Sequence, residues 1–449
     1  MFDILWKNGA KGKLWRLARS LNVSLTARVK TKHGITRKIT RGGGGKQGGQ
    51  IIVTLFSKLM DTLTDDMQED DEMGVKIENE KIANLLFVDD VATLAEGKKH
   101  QEKTLEKVHE FALKHKVKWG AHKCNVLEIG KHRCVKEKWR LGDEEIMNSD
   151  TYRYLGDIIN RNGSNKQNLE ERFKKVKNST REVMACGNSE IMRTTELKVC
   201  LDLHEAVTVP MMINNCESWV LTSTDTKELE KMELWALKRI LNIPTTTPST
   251  AVRFVTCTLF MQIRVDLRQL IYMQKILKRE RSHWTHHILL SLDQHDLGWS
   301  RQIREKLRDY GLEQNWDAIA KMTDNEWKVA VKEAGEKKNI EKLKSECWST
   351  RNGTGKEKTK SKPILNQLND DNYRRTNDVT LMKMNKLKAK AIIMLRYGML
   401  DCAANYENKY KSKKCNNCHT LDDVSHRINF CEKWKQINFF DSEIKIDLE

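Results

Sequence analysis

The chain has 449 residues, with 80 Lys and Arg against 62 Asp and Glu and a formal net charge of +18. At 39% hydrophobic and 32% charged it has enough apolar content for two or three cored domains. It lacks any apolar run of about 18 residues, which argues against a membrane span. The opening Met-Phe-Asp-Ile-Leu-Trp-Lys is not a secretory signal. Eleven scattered cysteines, an odd number, point to a reducing intracellular compartment (nucleus or cytoplasm) in which special cysteines serve metal. The basic excess suits a polyanion, most simply nucleic acid.

In chain order, Leu14, Trp15, Leu17, Ala18 and Leu21 fall on one stripe of a helix over 10–22. Residues 26–40 alternate weakly and predict a strand pair turning near Gly34. A glycine-rich loop follows and ends in Gln47-Gly48-Gly49, where the backbone can approach a ligand closely. Leu55, Phe56, Leu59, Met60 and Leu63 then recur at helical spacing. Residues 61–73 are acidic and read as a solvated run. Next come two apolar runs, Leu85-Leu86-Phe87-Val88 and Val91-Ala92-Thr93-Leu94-Ala95, around Asp89-Asp90. Short runs of β-formers predict strands, and turns accept Asp where strand interiors do not, so the two carboxylates belong at a hairpin tip. Two such charges side by side call for a hard cation, and Mg²⁺ takes carboxylate and phosphate oxygens.

A helix over 98–118 buries Leu105, Val108, Phe111 and Ala112, and Lys123 precedes a strand over 125–129. Tyr154-Leu155-Gly156-Asp157-Ile158-Ile159 reads as a strand, with Asn162-Gly163 as the hairpin turn after it. From Leu169 the pattern is helical, with Leu229, Met232 and Trp235 among the repeating positions; Trp219 and Trp235 read as core. Residues 349–363 are basic and lack large apolar side chains, the composition of a linker. A last helix, Leu381 to Leu400, leads to Cys415-x₂-Cys418-x₇-His426-x₄-Cys431, the spacing of a Cys₃His Zn²⁺ site. His426 fits better than His419, because its spacing leaves room for the chain to return. Little else in 416–440 is apolar, so metal should supply most of the folding energy there.

The glycine loop with Gln47-Gly48-Gly49, the tip Phe87-Val88-Asp89-Asp90, the Lys118–Gly130 stretch and Tyr152-Arg153-Tyr154-Leu155-Gly156, in this order, resemble the reverse transcriptase of non-LTR (LINE-like) retrotransposons. The resemblance covers most of the chain outside 282–378, and Val88 stands where that family has Ala. It implies an α+β fold: a partial right-hand polymerase palm and fingers over 1–165, a helical thumb over 166–281 and a C-terminal helix with zinc knuckle over 379–449. A helical connector would fill 282–348 and a basic linker 349–378.

In that picture Asp89 and Asp90 hold Mg²⁺ in a two-metal site for RNA-directed DNA polymerisation. Gln47, Gly48, Gly49 and Lys123 meet nucleotide and template, and Tyr154, Leu155 and Gly156 form the primer grip. The partners implied are an RNA template, a DNA primer and deoxynucleoside triphosphates, with thumb and linker on the hybrid's phosphates. The family's first catalytic carboxylate, in an Ala-Phe-Asp-like stretch, has no counterpart at the right distance; Phe2-Asp3 lies too close to Gly9. The chain therefore reads as N-terminally truncated, with an incomplete Mg²⁺ site and impaired activity. The alternative is a non-catalytic nucleic-acid-binding remnant.

Overall fold

The computed structural model describes residues 2–22, 26–40, 50–78, 80–130, 138–185, 196–348, 382–384, 389–390, 392–394, 412–422, 426 and 431. These residues form a mixed α+β chain of many helices and small sheets. Two compact units divide it: residues 1–152 with 281–291, and 153–280 with 292–449. The expected linker over 349–378 and most of the helix from Leu381 to Leu400 lie outside the described residues. No helix among the described residues is long and apolar enough to cross a membrane.

The first unit begins with α1 (Phe2–Lys7) and α2 (Gly12–Ser20), joined by a bond from the Trp15 indole N–H to the Phe2 carbonyl. Four two-residue strands follow, β1 (Thr26–Ala27) to β4 (Ile39–Thr40), with β2 (Lys30–Thr31) and β3 (Gly34–Ile35) as the inner hairpin. Gly34 sits beside the turn, as the sequence predicts. Helix α3 (Gln50–Gln68) supplies the backbone of the core. Its Met60, Leu63 and Met67 recur at three- and four-residue steps and are fully buried, with Leu59 buried beside them. They meet Leu105, Val108 and Phe111 of α4 (Lys98–His115), and Trp139, Leu141 and Ile146. Those last three come from β10 (Lys138–Leu141) and β11 (Glu144–Asn148), an antiparallel pair. Between α3 and α4 run β5 (Val75–Ile77), β6 (Glu80–Ile82), β7 (Asn84–Phe87) and β8 (Asp90–Thr93), two consecutive hairpins.

The strand expected over 125–129 is only β9 (Asn125–Val126), paired in parallel with the end of β11. A second difference concerns the next hairpin. Strand β12 (Thr151–Tyr154) ends at Tyr154, and β13 (Asp157–Asn160) returns alongside it. The turn is therefore Leu155-Gly156, both at positive φ (47° and 94°), and not Asn162-Gly163. Glycine takes that conformation freely and leucine does not, so the turn was hidden behind an apolar residue. Asn162-Gly163 instead makes the bend from β13 toward α5 (Lys166–Ala185).

The second unit is helical after β13. Helix α5 is followed by α6 (Leu197–Leu203), a π turn (His204–Thr208), α7 (Val209–Ile213) and α8 (Ser223–Ile240). Thr222 and Asp225 cap α8 reciprocally: the Thr222 hydroxyl accepts from the Asp225 amide at 3.2 Å, and the Asp225 carboxylate accepts from the Thr222 amide at 2.9 Å. Next are α9 (Ser249–Thr256), α10 (Met261–Leu277), α12 (Gly298–Asp309), α13 (Trp316–Lys321) and α14 (Asp324–Trp348), while α11 (Trp284–Gln294), which follows α10 in the chain, belongs to the first unit as far as Ser291. Two apolar clusters form the core, one around Phe260, Leu237 and Val252, the other around Trp219, Leu229 and Met232. Trp219 is buried and Trp235 half-buried, both against core neighbours. Several buried charges described in this unit are paired. The Arg253 guanidinium lies 2.7 Å from Glu233 and also reaches Glu230, while the Lys306 ammonium lies 2.9 Å from Asp266. Removing one partner of such a pair strands a buried charge, which costs far more than the pair contributes.

Candidate active site and metal centre

Strands β7 and β8 pair in register Asn84↔Thr93, Leu85↔Ala92, Leu86↔Val91 and Phe87↔Asp90, leaving only Val88-Asp89 as the loop. Successive side chains on a strand face opposite sides. Leu86 and Val91 pack on the core, and the Asn84 amide on the same face bonds the Met67 sulfur. Phe87 and Asp90 share the other face, and both are exposed. Asp89 is exposed in the loop. The core thus holds the root of the hairpin and presents both carboxylates at its tip, as the sequence predicts.

Two details stiffen this support. The Leu94 amide donates to the Ala83 carbonyl at 2.9 Å, extending the ladder by one rung. At Gly74 (φ 90°) a Cβ would stand 2.8 Å from the Ile82 carbonyl oxygen, so any side chain there would push β6 away. The loop itself is strained. Val88 has φ 57° while Asp89 does not share the left-handed region, the pattern of a type II′ turn whose first position ordinarily belongs to Gly. A β-branched residue there is a genuine outlier.

Tyr152, which the sequence places in the 152–156 motif without a role of its own, belongs to this neighbourhood. Burial raises its phenol above the usual range, with added pushes from Cys124 and from the Asp90 carboxylate. Its hydroxyl donates to the Lys123 carbonyl at 3.4 Å. Lys123 closes a 3₁₀ turn (Ala121–Lys123), and its side chain is exposed. The first unit therefore gathers Asp90, Tyr152 and the Lys123 segment. Among the described residues, no third His, Cys or carboxylate joins Asp89 and Asp90 in a metal-sized group. Asp3 sits in the first turn of α1. Gln47, Gly48 and Gly49 lie outside the described residues.

Tyr154, Leu155 and Gly156 fall in the second unit. The Asn215 amide donates to the Leu155 carbonyl at 2.9 Å, and behind the turn Asp157 is held by buried Arg172 and by the Asn168 amide at 3.0 Å. The Arg172 guanidinium also stacks on Trp219, 4.8 Å from the ring centroid. Nothing in the local pattern links Asp157 with Arg172, fifteen positions on; only the folded chain shows that they fasten the turn. Tyr154 and Leu155 line one side of a cavity of about 620 Å³, and Arg268, Tyr272 and Lys275 of α10 line the other.

Cys415, Cys418, His426 and Cys431 come together, their ligand atoms all within 4.8 Å of one another. The thiols form no disulfide, with the Cys431 sulfur 3.9 Å from that of Cys415 and 3.5 Å from that of Cys418. A disulfide needs about 2.05 Å. A tetrahedral ion with metal–sulfur bonds of about 2.3 Å separates its sulfurs by roughly 3.8 Å, so the spacing suits a zinc-like ion. A tight turn presents the first two ligands: the Cys415 amide donates to the Thr420 carbonyl at 2.8 Å and the His419 amide to the Cys415 carbonyl at 2.9 Å. His419 takes φ 58° in this turn, and His426 is the imidazole that enters the cluster. The Asn417 amide, aimed at the Cys415 sulfur from 3.4 Å, is the main influence that brings this thiol down to about 6. A thiolate at neutral pH is the form a metal binds. The Thr420 hydroxyl, 3.0 Å from His426 Nδ1, helps orient the ring. The four residues could hold a metal ion of zinc's kind.

Compared with known protein families and with curated proteins, the sequence matches none.

Proposed function

We propose that the chain descends from an RNA-directed DNA polymerase of the non-LTR retrotransposon type and works on nucleic acid. The observation that carries this reading is the hairpin tip, where Asp89 in the two-residue loop and Asp90 at the start of β8 stand side by side on a core-backed β-pair. The motif order along the sequence and the net charge of +18 support it. Mg²⁺ bound by Asp89 and Asp90 would neutralise triphosphate charge and favour in-line attack by a primer hydroxyl. Asp90 and Phe87 share an exposed face, so a nucleotide drawn to the carboxylate meets an aromatic edge beside it. Lys123 would supply a cation for the departing pyrophosphate. Tyr154, Leu155 and Gly156 would hold the primer end, with Asp157 and Arg172 fixing their turn.

The resembled site uses three carboxylates, and Asp89 and Asp90 account for two. Two carboxylates alone give a two-metal site less charge and less orientation than three, so polymerisation resting on Asp89 and Asp90 is expected to be weak. The Cys₃His cluster is read as a Zn²⁺ knuckle, a nucleic-acid module. A primer-extension assay with a primed RNA template, deoxynucleotides and Mg²⁺ tests the reading. Extension above background that disappears in Asp89→Ala supports the enzyme. Oligonucleotide binding with no extension supports the second reading, a non-catalytic binding remnant, which the complete cluster at 415–431 favours. A chain that neither extends nor binds would remove both.

A further inference from the structure

Helix α8 has a second, mostly basic face, on which Leu234 is half-buried against the core. Lys227, Lys231, Leu234 and Lys238 follow one another at steps of four, three and four residues, the spacing of one stripe. The stripe forms one wall of a groove of about 970 Å³ within the second unit. Leu234 and Trp235 of α8 with Pro244 beyond it give an apolar floor, and Lys342 of α14 stands on the far side.

The charge is one-sided. Lys227, Lys231, Lys238, Arg239 and Lys342 line the groove against Glu230 and Glu346. Glu230 is already neutralised, since it pairs with buried Arg253, faces Lys342 at 3.6 Å and accepts the Gln262 amide at 3.2 Å, while Lys231 pairs at 3.3 Å with the exposed Glu228 of the same helix, a contact that water screens and a phosphate can replace. Lys238 donates to the Thr245 carbonyl at 2.7 Å, which leaves two of its three N–H groups for another acceptor. Lys227 has no ion pair among the described residues. Arg239 lies 5.8 Å from the centroid of the Trp235 ring, placing a planar cation beside the aromatic floor.

Length narrows the ligand. Lys227 to Arg239 spans roughly 18 Å of helix, longer than the phosphate chain of a mononucleotide. Lys227 to Lys231 rises about 6 Å, close to the separation of neighbouring phosphates in an extended strand. A duplex turns its base faces inward and has nothing to lay on an apolar floor, whereas a single strand does. We propose that this groove binds single-stranded nucleic acid, with neighbouring phosphodiesters on Lys227 and Lys231, one further along the strand on Lys238, about 10 Å beyond Lys231, and a base against Trp235 and Pro244. The inference rests on the preceding reading only for the class of partner and does not require polymerisation.

Fluorescence anisotropy of a labelled oligo(dT) or oligo(U) with the full chain tests it. Lys227→Glu/Lys231→Glu should weaken binding at least about tenfold at moderate salt and lower the salt slope by roughly 1.4, two phosphate contacts at ~0.7 each. Lys328→Glu/Lys332→Glu, an equal charge change on exposed positions of α14 outside the groove, should stay within about twofold. The milder Lys227→Ala/Lys231→Ala should shift binding in the same direction, and a thermal melt checks that each variant folds. Equal losses in groove and control variants, or no loss in the groove variants, overturn the inference. So does tighter groove-dependent binding of duplex than of single strand. Displacement of the oligonucleotide by polyglutamate at matched charge assigns the groove to an acidic protein and overturns it too. A chain that binds no oligonucleotide at all removes the nucleic-acid reading along with this one.

Discussion

The hairpin tip at Asp89 and Asp90 and the cluster at Cys415, Cys418, His426 and Cys431 are opposite solutions to holding a cation. The hairpin stands on a packed core, with Leu86 and Val91 against the cluster that contains Met60, Leu63 and Phe111, yet its described ligands number two. The cluster has four ligands within 4.8 Å and is shaped by a few turn hydrogen bonds. In the first case apolar burial fixes the geometry before any ion arrives. In the second, ligand bonds themselves must supply most of the order. A complete ligand set is therefore no guide to how rigid a site is without its metal.

The largest effect that could break this contrast is on the cluster. Cys431→Ser should lower bound zinc from about one ion per chain to near zero by elemental analysis, because three ligands no longer close the shell. Amide exchange over the described residues 412–422 should rise with it while the hairpin over 84–93 is unchanged. Persistent protection at 412–422 in chelated protein would mean that the polypeptide holds the cluster unaided, and the contrast would fail. The reverse experiment is Leu63→Ala. This side chain is fully buried under the hairpin. Its truncation should cost about 3 kcal/mol in a denaturant melt of the first unit and leave zinc content intact. A loss below about 1 kcal/mol would show that the core does not carry the tip. The smallest effect is a gain. Val88→Gly relieves a left-handed β-branched residue and should stabilise the first unit by about 1 kcal/mol, net of the entropy glycine adds to the unfolded chain.

Much of this arrangement was legible in the sequence because local rules governed it. Leu59, Met60 and Leu63 announce α3 by spacing, the paired Asp marks its own turn, and Cys-x₂-Cys marks its own loop. What escaped depended on partners distant in sequence or on unusual backbone. Leu155 at φ 47° disguised a turn as strand interior. Tyr152 joins Asp90 and Lys123 only once β12 is laid beside its neighbours. The ion pair of Asp157 with Arg172 joins a strand to the middle of a helix. The basic stripe of α8 was present in the spacing all along, but the apolar stripe of Leu229, Met232 and Leu237 on the same helix dominates the pattern.

The loop at Val88-Asp89 has no slack. Because Phe87 pairs directly with Asp90, inserting or deleting one residue there cannot be absorbed by a longer bend. It must shift one arm of the hairpin by a step. Such a shift swings Asp90 toward Met67 and Leu63 and drives Val91 into water, inverting every contact down to Thr93. Length at this point is consequently more constrained than residue identity: a substitution at the tip costs a ligand or a little strain, whereas a single-codon indel would dismantle the platform.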